Sequence, residues 1–93
     1  MIRHVVLMRF ADPADAPEAK TRLEALPDSV DALRSLEVGL DVLRTEASFD
    51  LALVSTHDDL DGLRDYQEHP AHVQFLAWVR PRLTARAVVD LEF

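Results

Sequence analysis

The chemistry in this sequence is concentrated in Tyr66-Gln67-Glu68-His69-Pro70-Ala71-His72, where a phenol and two imidazoles surround one proline. A neutral imidazole accepts a proton near pH 7, and a phenol can donate a hydrogen bond to a carbonyl oxygen as enolate charge develops. Tyr66 and His72 together therefore carry the parts of a cofactor-free acid–base site. Pro70 suits the first position of a helix, where its missing N–H costs nothing, and it pushes His69 out of the helical region. His72 is then the third residue of that helix, where the positive end of the dipole and burial both disfavour protonation. It shares a stripe with Phe75, Leu76 and Val79, and Tyr66 shares one with Leu63, so both are expected to point inward. A third imidazole, His4, lies on the strand face of Ile2, Val6 and Met8, placed to orient a substrate or to bond Tyr66 or His72. The same residues have a purely structural reading. In it Tyr66 is a core residue, His72 bonds the backbone beside the proline turn, and His4 is a satisfied core histidine.

The other candidates read as structural. His69 is expected to be a solvent-facing helix cap and His57 a surface residue at a strand end. His69 and His72 stand three apart, but the proline separates their directions and no third ligand is evident, so no metal site is expected. Phe75 and Trp78 read as core or dimer packing. No phosphate loop, nucleophile elbow or paired-carboxylate site is present, and no cofactor is implied.

Alternation and helical spacing supply the elements that must position these groups. In residues 2–10, Ile2, His4, Val6, Met8 and Phe10 point one way and Arg3, Val5, Leu7 and Arg9 the other. After Ala11-Asp12-Pro13, a helix carries Ala16, Ala19, Leu23 and Leu26. Asp12 or Asp15 is its expected cap, Glu18 is placed for a capping box with Asp15, and Pro27 is its expected end. A short turn follows with Val30 and Leu33. Strands are expected over 35–44, with Leu36, Val38, Leu40 and Val42 on one face, and over 49–56, joined as a hairpin with a longer loop. A helix begins near Asp58 or Asp61, restarts at Pro70 and runs to about Arg80-Pro81-Arg82. The last strand is expected over 87–93.

The order is β-α-β-β-α-β, the ferredoxin-like α+β arrangement, with helices on one face of an antiparallel sheet. Both faces of the first strand are apolar, and helices cover only one. The economical cover for the other is the same sheet in a second copy, a homodimer joined through sheet faces.

Composition narrows the function classes. The 93 residues read as a single domain over 1–93, and a hydrophobic content of 48% supports a core. The net charge of −7, from 17 acidic and 10 basic residues, argues against nucleic acid and against anionic membrane surfaces. No apolar run approaches the roughly 20 residues of a spanning helix. There is no cysteine, hence no disulfide or thiolate metal site, and Met1-Ile2-Arg3-His4 does not resemble a signal peptide. A cytoplasmic location is the expectation.

The opening Ile2-Arg3-His4-Val5-Val6-Leu7-Met8-Arg9-Phe10 carries a resemblance, as do Glu37-Val38-Gly39, Phe49-Asp50-Leu51-Ala52-Leu53-Val54, the Tyr66–His72 segment and the closing Val88-Val89-Asp90. In this order they resemble the stress-responsive dimeric α+β barrel (Dabb) family across nearly the whole chain. The resemblance implies a homodimer whose two sheets form a barrel with the helices outside. Within the family it is similar to polyketide cyclases of the olivetolic acid cyclase type, which close a ring by an intramolecular aldol reaction without a cofactor. Their functional positions match His4, Tyr66 and His72. Two departures stand out: His57, where the family usually has an aromatic residue, and Asp41, where asparagine is common. Three readings follow. The first is a cyclase-like enzyme acting on a small apolar carbonyl compound. The second is a non-catalytic stress-associated dimer that binds a small apolar ligand or simply contributes to stress tolerance. The third is a cofactor-independent monooxygenase, by analogy of the barrel alone.

Overall fold

A computed structural model describes all 93 residues. Strand β1 (Ile2–Phe10) is followed by helix α1 (Asp15–Glu24), β2 (Ser35–Leu40), β3 (Leu51–His57), α2 (Leu60–Glu68), α3 (Pro70–Val79) and β4 (Leu83–Glu92). Short 3₁₀ turns at Leu26–Asp28 and Arg80–Arg82 follow α1 and α3. The sheet is antiparallel throughout, in the order β2-β3-β1-β4, as expected for a ferredoxin-like fold. No helix is long and apolar enough to cross a membrane.

The inner face of β1 is buried at every alternate position from Ile2 to Phe10, and it packs with Leu51 and Leu53 of β3. Ala16, Ala19 and Leu23 of α1, Leu63 and Tyr66 of α2, and Phe75 and Val79 of α3 close over it. The opposite face of β1 carries Arg3, Val5, Leu7 and Arg9, all half-buried, beside exposed Val89, Leu91 and Phe93 of β4 or its end. That face has no cover within the chain.

Four of the boundaries that differ from the expectation, outside β3, have a local reason. Helix α1 starts without a side-chain cap: Asp12, two residues before the cap position at Ala14, accepts from the Ala14 N–H at 3.0 Å, and Glu18 pairs with Arg22 rather than with Asp15. Its last residue is Glu24, and Pro27 sits inside the 3₁₀ turn instead of stopping the helix. Strand β2 stops at Leu40. Asp41 accepts from the Arg44 N–H at 2.7 Å, and Arg44 turns the chain at φ 57°, so the expected inward Val42 is 93% exposed. Strand β4 starts four residues early, because pairing with β1 continues to Phe10–Leu83 across a bulge at Arg9 and Phe10.

Candidate functional site

The break between α2 and α3 shapes the site. Pro70 has no N–H, and the His69 side chain accepts from the Ala71 N–H at 3.0 Å, so His69 is the expected cap, half-buried rather than fully exposed. The carbonyl of Gln67 is thereby released from the helical ladder, and His72 bonds to it through Nδ1 at 3.0 Å. A carbonyl only accepts, so Nδ1 carries the hydrogen and Nε2 is the basic nitrogen of the neutral ring. Burial holds the His72 pKa below its ordinary value. The Gln67 carbonyl opposes this, while His4, Arg86 and Arg80 add to it.

Tyr66 lies against His72, with ring centroids 4.4 Å apart. It is 0% exposed, and its hydroxyl is the one buried side-chain polar atom without a hydrogen-bond partner. Burial pushes its pKa up to about 12, slightly offset by Arg86. The phenol is therefore neutral across the physiological range and keeps its proton to donate.

His4 completes the expected group, its ring 6.3 Å from that of Tyr66. The Nδ1 of His4 bonds to the carboxylate of Asp90, its direct cross-strand partner on β4. This bond fixes the imidazole and leaves Nε2 as its free nitrogen. Asp90 is partly open, its side chain 38% exposed, because the helices roof β1 and β3 but leave the inner face of β4 bare. The structure thus brings His4, Tyr66 and His72 together on the inner side of the sheet.

His57 is a correction. Expected at the surface, it is 0% exposed and lies 5.0 Å from the Tyr66 ring and 6.5 Å from that of His4. Strand β3 runs one residue past its expected end, so the inward alternation Leu51, Leu53, Ser55 continues to His57. Its Nδ1 donates to the Ala32 carbonyl and its Nε2 accepts from the Ser55 hydroxyl, both at 2.9 Å. With both nitrogens used, it is a wall of the cluster, and burial lowers its pKa against the opposing Ala32 bond. Extending the alternation by one position finds His57 from sequence; Asp90 needs the strand pairing.

Phe75 is core, as expected, and half-buried Trp78 is stacked between the Arg22 and Arg82 guanidinium groups, 4.3 and 4.5 Å from its ring centroid. No three His, Asp or Glu side chains are grouped to hold a metal ion. None of the four surface clefts is lined by His4, Tyr66 or His72. The cleft at the start of α2, about 340 Å³, is lined by Met1, Ile2, Asp58, Asp59, Leu60, Asp61 and Glu92 instead.

The profile of the Stress responsive A/B Barrel Domain family (Dabb) matches residues 2–93. The chain is 35% identical to an uncharacterized protein of Streptomyces coelicolor, over 98 aligned positions that cover the whole of both chains. Among solved structures it is similar to dimeric ferredoxin-like proteins of unknown function from Thermobifida fusca and Bacteroides fragilis. The first has a TM-score of 0.87 at 34% identity, over 99% of this chain and 90% of that one. The second has a TM-score of 0.88 at 32% identity, over 99% and 95%. The fold is shared with the hydroxynitrile lyase of Passiflora edulis, at a TM-score of 0.81 and 16% identity over 97% and 90%. The chain belongs to the Stress responsive A/B Barrel Domain family.

Proposed function

We propose that this family member is a homodimer, joined through the bare sheet face, that binds a small apolar carbonyl compound and performs cofactor-free acid–base chemistry at its α-carbon. The observation that carries this reading is the buried hydroxyl of Tyr66, unpaired and beside a neutral imidazole. A buried hydroxyl without a partner costs about 1–3 kcal/mol, a cost that a bound carbonyl oxygen would remove. His72 Nε2 would take the α-proton. The C–H electron pair would become the enolate, whose oxygen accepts from the Tyr66 hydroxyl. His4, held by Asp90, would position the pair. A polyketide cyclase-like ring closure is this step followed by attack of the enolate carbon on a second carbonyl of the same molecule. The fold hosts a lyase in Passiflora edulis, which is analogy at the level of fold.

Incorporation of deuterium into the methyl group of methyl 4-acetylbenzoate, followed in D₂O at neutral pH, tests the step directly. The wild-type dimer should exchange that position faster than buffer, and His72→Ala should lose the acceleration while remaining dimeric. Equal exchange in His72→Ala removes His72 as the base.

A non-catalytic dimer is the second reading, and the absence of a cleft opening onto the three residues favours it. It requires Tyr66 and His72 to be packing residues, so that Tyr66→Phe, His72→Ala unfolds at a lower temperature and no ligand or exchange is detected.

A further inference from the structure

The chain carries ten cationic side chains against seventeen acidic ones, and most of the ten are engaged. Arg22, Arg34, Arg44 and Arg64 form ion pairs. Arg3, Arg9 and Arg82 lie over aromatic rings. Lys20, Arg80 and Arg86 remain without a salt bridge, hydrogen bond or ring partner. In a chain with excess carboxylate, a free guanidinium beside a candidate site is a selective feature.

The register fixes where Arg86 stands. Directly opposed residues of an antiparallel pair share a face. Met8 is opposite Arg86, Val6 opposite Val88 and His4 opposite Asp90, and Met8, Val6 and His4 are all buried on the inner face. Arg86 therefore stands on the same face as Asp90, about 13 Å along the strand at the usual rise. The stretch between them is exposed, because no helix roofs β4. Tyr66 and His72 pack over this same inner face, so Arg86 stands on their side of the sheet, and its positive charge acts to lower the pKa of both.

We propose that Arg86 is a specificity-determining residue that receives the carboxylate of an oxo acid whose ketone oxygen reaches Tyr66. This rests on the reading of Tyr66 and His72 as a carbonyl site and narrows its substrate class. A guanidinium holds a carboxylate through two parallel N–H···O bonds, which fixes orientation as well as charge.

The test uses the full-length dimer and two stable probes, 4-acetylbenzoate and its methyl ester, with affinity read from NMR shifts of the Tyr66 and His72 rings. The acid should bind about tenfold tighter than the ester, as one charge-assisted contact at a partly open site allows. Arg86→Gln should abolish that preference and leave ester affinity unchanged, whereas Lys20→Gln, which removes the same charge elsewhere, should preserve it. Equal affinity for acid and ester in the wild type, or a preference that survives Arg86→Gln, overturns the assignment while leaving the carbonyl site standing. Failure of both probes to perturb Tyr66 and His72 removes the carbonyl site and the Arg86 assignment together.

Discussion

Replacing Tyr66 by phenylalanine tests whether its buried hydroxyl is unpaired, because an unpaired and a bonded hydroxyl predict opposite signs for stability. The Tyr66 ring is fully buried and touches the rings of His4, His57 and His72, all of which phenylalanine preserves. Only the hydroxyl is lost, and it has no partner in the chain. Burying an unpaired hydroxyl costs about 1–3 kcal/mol, and the small void left by one oxygen returns part of this, so the variant should gain about 1 kcal/mol. For a chain of this length that is roughly 4–8 °C in Tm. Thermal unfolding of both proteins must be compared at one protomer concentration, since dimer stability varies with concentration. The same variant should slow α-deuterium exchange by about 10²-fold or more, as loss of one oxyanion donor does. A gain in stability with a loss of exchange is the signature of a site held at the expense of the fold. If Tyr66→Phe lowers Tm by several degrees, the hydroxyl has a structural partner and the reasoning from its unpaired state is wrong.

Three other outcomes follow from the same structure. The folded-state pKa values of His57 and His72 lie below their ordinary value, so an unfolded chain binds more protons below about pH 6.5 and stability should fall from there as pH is lowered; a flat stability between pH 7 and 5 would contradict their burial as neutral rings. Asp50 is buried and its pKa is lowered: burial raises it, but the Phe10 N–H at 2.7 Å and Arg44 at 2.8 Å outweigh that, so it supports the fold above the carboxylate range and loses that support on acidification. Asp50→Ala should therefore cost about 2–3 kcal/mol by denaturant unfolding near neutral pH, chiefly by stranding the Phe10 N–H. Leu7→Glu places a charge on the half-buried outer face of β1 and should shift the protein to monomers in sedimentation analysis, whereas an unchanged dimer would place the interface elsewhere.

Much of this fold is legible in the sequence because its elements announce themselves locally. The alternation in β1 specifies which face is buried, and the proline at 70 specifies a cap at His69 and an inward His72. What is not legible depends on pairing or on competition between side chain and backbone. Val42 looks like a continuation of β2, but the side chain of Asp41 captures the Arg44 N–H and ends the strand. Asp90 sits in an apolar strand with no local sign of a role, and only the register of β4 against β1 delivers it to His4. His57 differs from both: its burial follows the same alternation as Leu51 and Leu53, and one further residue of strand reveals it.

The proposed function stands or falls on whether Tyr66 and His72 together bind a carbonyl group. A crystal structure of the homodimer grown with methyl 4-acetylbenzoate tests it most directly. The ketone oxygen should lie within hydrogen-bond distance of the Tyr66 hydroxyl, with the adjacent methyl carbon facing Nε2 of His72. A dimer in which the Tyr66 hydroxyl bonds a protein group and the probe binds elsewhere or not at all would contradict it.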